Sequence, residues 1–391
     1  MSSVSAKTEN GTCTVFLSGK IDSVNALAVE QEIMALLKPG ALVLDAEALE
    51  YISSAGLRVL LRLRRSHPGM KIIGVNPQVY EILDMTGFTA MIPVEKAFRR
   101  ISTEGCEVIG HGAKGDVLRL NGDTVIKIYK DPDSLEEIRH EREMAKKAFI
   151  AGIPTAISFD VVKVGEDYAS VFELINAQSL AKLLHEHPDE VSRYAPEYAG
   201  LLHLVHSTKA SDDLPSFKKT AEKWAEYVAG SGVLSSKAGK KLVRLIKAVP
   251  ENDHMIHGDC HAKNIMLQNG EMILIDMDTL ACADPVFELG TMYFSYMTGT
   301  PESTMDFLGI SRETAEALWK QLLQCYYETK DSAVLTDKEN KAAVIGLTRF
   351  LYHTLRHNDG SEAARAQIDH AAGRLEQLTA SLESLVQNAA D

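Results

Sequence analysis

The stretch His257-Gly258-Asp259-Cys260-His261-Ala262-Lys263-Asn264 decides the reading of this 391-residue chain, together with Asp276-Met277-Asp278 twelve residues further on. A carboxylate, Asp259, and an amide, Asn264, stand five residues apart, and the apolar run Met272-Ile273-Leu274-Ile275 then delivers a second carboxylate, Asp276. Phosphoryl transfer needs such a set: one carboxylate to orient the attacking hydroxyl, and an amide oxygen and another carboxylate to hold divalent cations. Little covalent work falls to the protein in that chemistry, so positioning and charge stabilisation carry most of the rate.

The spacing resembles the H-R-D-x-x-x-x-N catalytic loop of kinases, with Asp276 in the place of the Asp-Phe-Gly aspartate. With Gly258 after the histidine and Met277-Asp278 after Asp276, the resemblance is to the aminoglycoside and choline kinase branch. Upstream, Gly110-His111-Gly112-Ala113-Lys114-Gly115-Asp116-Val117 fits the glycine-rich loop GxGxxGxV between two strand-like runs, Cys106 to Ile109 and Val117 to Leu120. A dinucleotide-binding loop would open a helix; this one opens onto a strand. The strand Val125 to Ile128 then presents Lys127, and a charged helix from Ser134 to Ala151 carries Glu137, Glu141 and Glu143.

The resemblance covers roughly residues 101 to 391 and implies Mg-ATP as phosphoryl donor. It gives Asp259 the acceptor, Asn264 and Asp276 the magnesium ions, and Lys127 with Gly110, Gly112, Gly115 and Val117 the phosphates. Glu141 is expected to pair with Lys127, with Glu143 as the alternative. The strand Ala169 to Ile175 is expected to end in a hinge where the backbone of Glu173 to Ile175 meets adenine. Asp284-Pro285-Val286-Phe287-Glu288-Leu289-Gly290 resembles the family's Asp-Pro-x-x-Asp-Leu-Ala segment and is expected to start a helix that braces the loop. Ala262-Lys263 replaces the family's Pro-Gly, and Lys263 would alter the acceptor pocket if it pointed inward.

Residues 1 to 100 follow another pattern, in which strands at 12–18, 41–45 and 71–75 alternate with helices at 22–37, 55–63 and 79–85, and 88–94 closes with a short strand. That alternation predicts an α/β layer fold with the strands in one sheet. Leu42-Val43-Leu44-Asp45, Tyr51-Ile52-Ser53-Ser54-Ala55-Gly56-Leu57 and the run Val79 to Phe88 resemble the STAS domain of bacterial anti-sigma-factor antagonists. In that family a hydroxyl residue at the start of a helix is reversibly phosphorylated, and the Gly-Leu pair matches that position to Ser54. The family's preceding Asp is Ser53 here. A phosphate on Ser54 would meet free helix N–H groups and bring about −1.5 to −2 charge to a docking surface. The competing reading has Ser53 or Ser54 simply capping the helix.

The expected architecture is therefore α/β and α+β. A STAS-like α/β domain (1–100) precedes a bilobal kinase-like domain, its nucleotide lobe at 101–176 and its helical lobe at 177–391. Charge is unevenly placed: residues 1–100 carry 11 basic and 10 acidic residues, the remainder 30 and 44. The acidic half argues against nucleic acid as a partner and is compatible with a cationic acceptor. No stretch approaches eighteen apolar residues, and the N-terminus lacks a basic region with an apolar core, so neither a membrane span nor secretion is expected. Five scattered cysteines without metal-ligand spacing fit a reducing cytoplasm. Ile368, Ala371, Leu375, Leu378, Leu382 and Leu385 form a heptad-like seam, expected to pack onto the helical lobe rather than to dimerise.

Two functions follow. In the first, the chain is a kinase acting on a small-molecule hydroxyl or on its own STAS domain. In the second, it is a signalling module that binds an anti-sigma factor or other protein through STAS, with the kinase fold sensing nucleotide or phosphorylating Ser54.

Overall fold

The computed structural model describes residues 3–9, 11–111, 115–131, 134–174, 177–357 and 360–386. Contacts divide the chain into two compact units, Met1–Ser102 with Val162–Gly165, and the rest.

In the first unit β1 (Ser3–Glu9) and β2 (Thr12–Ile21) form an antiparallel hairpin. The chain continues through α1 (Ala26–Leu36), β3 (Ala41–Ile52), α2 (Ser54–Ser66), β4 (Lys71–Val75), α3 (Pro77–Met85), β5 (Val94–Lys96) and β6 (Arg99–Arg100). The sheet runs β1-β2-β3-β4-β5, and β2 to β5 pair in parallel. The hairpin strand β1 was not expected from the sequence; its short apolar alternation, Val4 and Ala6, packs half-buried against the core. β3 is longer than the expected 41–45, running on to Ile52 with two register shifts against β2, and the closing strand expected at 88–94 is β5 at Val94–Lys96. Val15, Leu44, Ile52, Leu57, Leu60 and Leu63 are among the core residues, each worth about 1.5–3 kcal/mol when removed from water.

Ser53 is the N-cap of α2, its hydroxyl accepting from the Gly56 N–H at 3.4 Å, and Ser54 opens the helix, exposed. Gly56 has a steric reason: a Cβ there would lie 2.6 Å from Ile52 Cγ1 and 2.8 Å from Ile21 Cγ2.

The second unit begins with strands β7 (Glu107–His111), β8 (Gly115–Arg119) and β9 (Thr124–Tyr129), then α4 (Leu135–Ile150), β10 (Ser158–Val164, whose last three residues belong to the first unit) and β11 (Asp167–Glu173). In the sheet β11, β9, β8 and β7 follow one another, each pair antiparallel. After β12 (Gln178–Ser179) come α5 (Leu180–Glu186), α6 (Val191–Ser207), α7 (Phe217–Gly230) and α8 (Ser236–Lys247). Four short strands follow: β13 (Met255–Ile256), β14 (Ile265–Gln268), β15 (Glu271–Leu274) and β16 (Ala281–Cys282). Helices α9 (Pro285–Met297), α10 (Pro301–Leu308), α11 (Arg312–Tyr326), α12 (Ser332–Arg356) and α13 (Glu362–Ser381) complete the unit. Of the predicted seam, Ile368, Ala371, Leu375 and Leu378 on α13 are buried in this chain's own core beside α8 and α12 residues, while Leu382 (half-buried) and Leu385 (buried) lie past the end of the helix.

Two local devices position the loop between β13 and β14. β14 and β15 form a hairpin whose turn, Asn269-Gly270, has positive φ at both residues (53° and 84°), the conformation that Asn-Gly suits best. Its register sets Ile265 opposite Leu274, so Asn264 and Ile275 meet just beyond it, with the Ile275 N–H donating to the Asn264 carbonyl at 2.9 Å. The second device is a close crossing of α9 and α12. A Cβ on Gly290 would lie 2.4 Å from Ile345 Cβ, and one on Gly346 would lie 2.7 Å from the Gly290 carbonyl. Glycine inside a helix costs about 0.5–1 kcal/mol relative to Ala; here it allows the two backbones to approach.

Candidate active site

Lys127 lies in the middle of β9, opposite Val117 on β8 and Ser170 on β11. Its Nζ donates to both carboxylate oxygens of Glu141 at 2.9 Å. Glu141 is on the inner face of α4 with Ile138, Met144, Ala145 and Ala148, and its Oε2 also accepts from the Tyr129 hydroxyl at 2.6 Å. Glu143 is exposed. The i, i+3, i+4 spacing of α4's buried residues decides between the two glutamates. Burial works against the Lys127 ammonium, but the charges of Glu141 and Asp276 outweigh it and hold its pKa above the usual lysine range.

Lys127 Nζ is also 3.5 Å from Asp276 Oδ1. Asp276 follows β15 in a left-handed conformation, φ 63° and ψ 61°, which Asp tolerates better than most residues but at some cost. A 3-10 turn, Met277–Thr279, comes next and packs against α4, where His140 Nε2 lies 3.0 Å from the Asp278 carbonyl. The first carboxylate after β15 thus meets the lysine of the sheet.

Across the hairpin register, Asn264 is buried and its Nδ2 donates to the Asp259 carbonyl at 3.0 Å. That bond orients the amide and leaves Oδ1 as an acceptor. The Asp259 carboxylate receives Arg349 Nη2 at 3.0 Å on Oδ1, and His261 Nε2 stands 3.5 Å from Oδ2. Burial opposes its ionisation, yet His261, Arg349 and His257 together hold its pKa well below the usual carboxylate range. Asp259 is therefore anionic at neutral pH and suited to accepting a hydroxyl's hydrogen bond rather than to pulling a proton away early.

The loop backbone is gripped from beneath by Glu288. This carboxylate is fully buried on the first turn of α9, whose N-cap is Asp284. It accepts from the N–H groups of His257 (2.5 Å), Gly258 (3.1 Å) and Cys260 (3.4 Å). Burial opposes its charge, but His206, 3.9 Å away, together with His257 and the Gly258 amide, keeps its pKa below the usual range. The helix at 284–290 thus braces the loop through this one side chain.

Gly258 has φ 83°, and a Cβ would lie 2.7 Å from the Thr279 carbonyl. This explains why glycine stands where protein kinases carry arginine. Gly258→Ala is expected to cost at least about 2 kcal/mol, from the left-handed backbone and the clash with main chain. A denaturant melt of the full chain checks this; an unchanged second-unit transition would contradict the described geometry.

Of the glycine-rich loop, Gly110 and Gly115 are described, and Gly112 lies outside the described residues. The demand on Gly115 is steric: a Cβ would lie 2.2 Å from the Ile128 carbonyl of β9. At the expected hinge, the Glu173 and Leu174 N–H groups already donate to the Ile157 and Asp123 carbonyls, so neither donor is free for a base edge. Ile175 lies outside the described residues. Lys263 turns outward, its Nζ 3.4 Å from the Asp306 carbonyl.

Arg349, on α12, was not singled out by sequence reasoning. The Gly290–Gly346 crossing brings it to the loop, where it stacks over Phe294 (4.7 Å to the ring centre) and lies 5.8 Å from the Trp224 ring. A cavity of about 250 Å³ beside the loop is walled by Phe217, Thr220, Trp224, Asp278, Thr279 and Arg349, among others. A larger open concavity on the first unit, about 680 Å³ and lined by Lys20, Asp22, Glu50, Tyr51, Asn76 and Gln78, holds none of the loop residues.

The fold and this constellation define a phosphotransferase. The phosphotransferase enzyme family model matches residues 105–322, more than half of the chain, which belongs to that family. The STAS domain model matches residues 3–102. Over 91 residues the chain is 36% identical to BtrV of Bordetella bronchiseptica, named as an anti-sigma factor antagonist, spanning 22% of this chain and 78% of that protein. Among solved structures, aminoglycoside phosphotransferase APH(4)-Ia in ternary complex with ADP and hygromycin B aligns with a TM-score of 0.51 at 14% identity. The alignment covers 71% of this chain and 94% of that one. A second form of the same enzyme, with AMP-PNP and hygromycin B, gives a TM-score of 0.51 at 15% identity over 71% and 93%. These likenesses establish the fold. No helix among the described residues is long and apolar enough to cross a membrane.

Proposed function

We propose that this chain transfers the γ-phosphoryl group of ATP to a hydroxyl acceptor, with magnesium, and that its STAS domain regulates or receives that chemistry. The observation that carries the proposal is the Lys127–Glu141 pair abutting Asp276, with Asn264 brought by the β14–β15 register beside Ile275, the residue before Asp276, and bonded in turn to the Asp259 carbonyl. Lys127 is the group to meet the phosphates, aided by backbone of the Gly110–Val117 loop. The Asn264 amide oxygen and the Asp276 carboxylate are hard oxygen donors of the kind magnesium takes, and the fixed Asn264 amide suits that role. Magnesium bound there would neutralise charge on the phosphates as it is redistributed.

Asp259 orients the acceptor. The acceptor oxygen bonds to the γ-phosphorus, the bond from phosphorus to the β,γ-bridging oxygen breaks, and ADP leaves. The hydroxyl proton passes to Asp259 and then to solvent. The cavity beside Gly258 and Arg349 is the proposed acceptor pocket, and its volume suits a compact molecule. Coupled ADP release from the full chain, with and without Mg²⁺, over amino alcohols, sugars and aminoglycosides tests this reading. Magnesium-dependent ADP release stimulated by one acceptor class supports it; none with any acceptor defeats it.

A second reading is favoured by the likeness of residues 3–102 to an anti-sigma factor antagonist: the first unit docks a signalling protein, and phosphorylation of Ser54 controls docking. Ser54 is exposed on the first turn of α2, while the cap is made by Ser53. A phosphate on Ser54 therefore leaves the cap intact and sits at the positive end of the helix. Ser54→Asp is expected to weaken binding of an anti-sigma factor in a pull-down; undiminished binding would remove the switch.

A further inference from the structure

We infer that Arg349 is a positioning residue for the phosphoryl-transfer reaction, fixing Asp259 from a helix ninety residues further along the chain. The inference rests on the phosphotransferase reading but concerns a side chain outside the motifs read from the sequence.

Three features support it. The guanidinium donates through Nη2 to Asp259 Oδ1 at 3.0 Å and through Nη1 toward the Gly258 carbonyl at 3.4 Å, so one rigid fork holds both the carboxylate and the backbone of the loop. Arg suits this better than Lys because its donors are planar and preset. The guanidinium occupies Oδ1 only; Oδ2 faces His261 at 3.5 Å, beyond a strong hydrogen bond. One oxygen is thus held while the other remains available to an acceptor hydroxyl. Finally, the guanidinium is fixed from several sides. Two helix glycines, Gly290 and Gly346, permit the crossing that brings it there. The Phe294 ring beneath the guanidinium and the nearby Trp224 ring restrict its swing.

The step in which it acts is the alignment of the acceptor oxygen with the γ-phosphorus, where small displacements cost large factors in rate. Arg349→Ala is expected to lower kcat about 100-fold, with KM for ATP essentially unchanged. Guanidine added at low millimolar concentration should restore part of the lost rate, and Arg349→Lys should retain an intermediate rate. A role confined to packing would predict neither guanidine rescue nor an unchanged KM.

The same pair is measured without turnover through a thermal-unfolding cycle of wild type, Asp259→Asn, Arg349→Ala and the double variant of the full chain. Non-additive Tm shifts are expected, because contacting groups share their interaction. Arg349→Ala with wild-type kcat, or with a loss that guanidine does not restore and that falls on KM for ATP, overturns the inference. If wild type itself transfers no phosphate, the phosphotransferase reading fails. The cycle then decides the Arg349 contact alone: additive shifts sink it.

Discussion

Asp259→Asn is expected to lower phosphoryl transfer by about 10²–10⁴-fold, the range for removing a positioned proton acceptor, while leaving ATP binding close to wild type. The substitution preserves shape and allows a hydrogen bond from Arg349 but removes the negative charge on which Arg349, His261 and His257 converge. ATP affinity should survive because Lys127, Glu141 and Asp276 lie on other elements: β9, α4 and the end of β15. Steady-state kinetics with a separate nucleotide-binding measurement checks both halves. A loss below tenfold would take Asp259 out of the reaction. Loss of nucleotide binding would mean that Asp259 supports the site rather than the acceptor.

Glu288→Ala is expected to be the most damaging change away from the reacting groups. It orphans the N–H groups of His257, Gly258 and Cys260, each costing about 1–3 kcal/mol when buried and unpaired. Water entering the space would recover part of this, so a destabilisation of about 3 kcal/mol or more is expected, with loss of activity. Chemical denaturation followed by a probe of the second unit measures it; a change under about 1 kcal/mol would show that the loop holds its shape without the brace. The wild-type contribution also carries a pH signature. Because Glu288 is held below its ordinary pKa in the folded chain, its stabilisation is complete above the unfolded value of about 4.3 and is lost as pH falls through the lowered one.

The ordered motifs were legible because each is local. The loop, the strand carrying Lys127 and the helix carrying Glu141 are written in contiguous residues; the choice of Glu141 over Glu143 rested on resemblance, and the buried face of α4 settles it. The STAS-like layout was equally readable in its central strands and helices. What escaped was whatever depends on distant segments meeting. Strand β1 alternates only at Val4 and Ala6, too briefly to stand out, and its place in the sheet is fixed by pairing with β2. Arg349 reads as one more cation on a long helix, and only the helix-interior glycines Gly290 and Gly346 hint that α9 and α12 approach closely enough to deliver it. Gly115 was assigned to phosphate approach, yet the Ile128 carbonyl alone already forbids a side chain there. Lys263 follows the same rule in reverse: beside Asp259 in sequence, it faces α10 in space.

The most direct test is to incubate the full chain with Mg²⁺ and γ-labelled ATP and to locate the label by mass spectrometry, on small acceptors and on peptides of the chain, with Asp259→Asn alongside. Label in wild type and not in Asp259→Asn is the predicted result. Its position, on a small hydroxyl compound or on Ser54, would name the acceptor. Label found equally in both proteins, or in neither with any acceptor, would contradict a phosphotransferase built around Asp259.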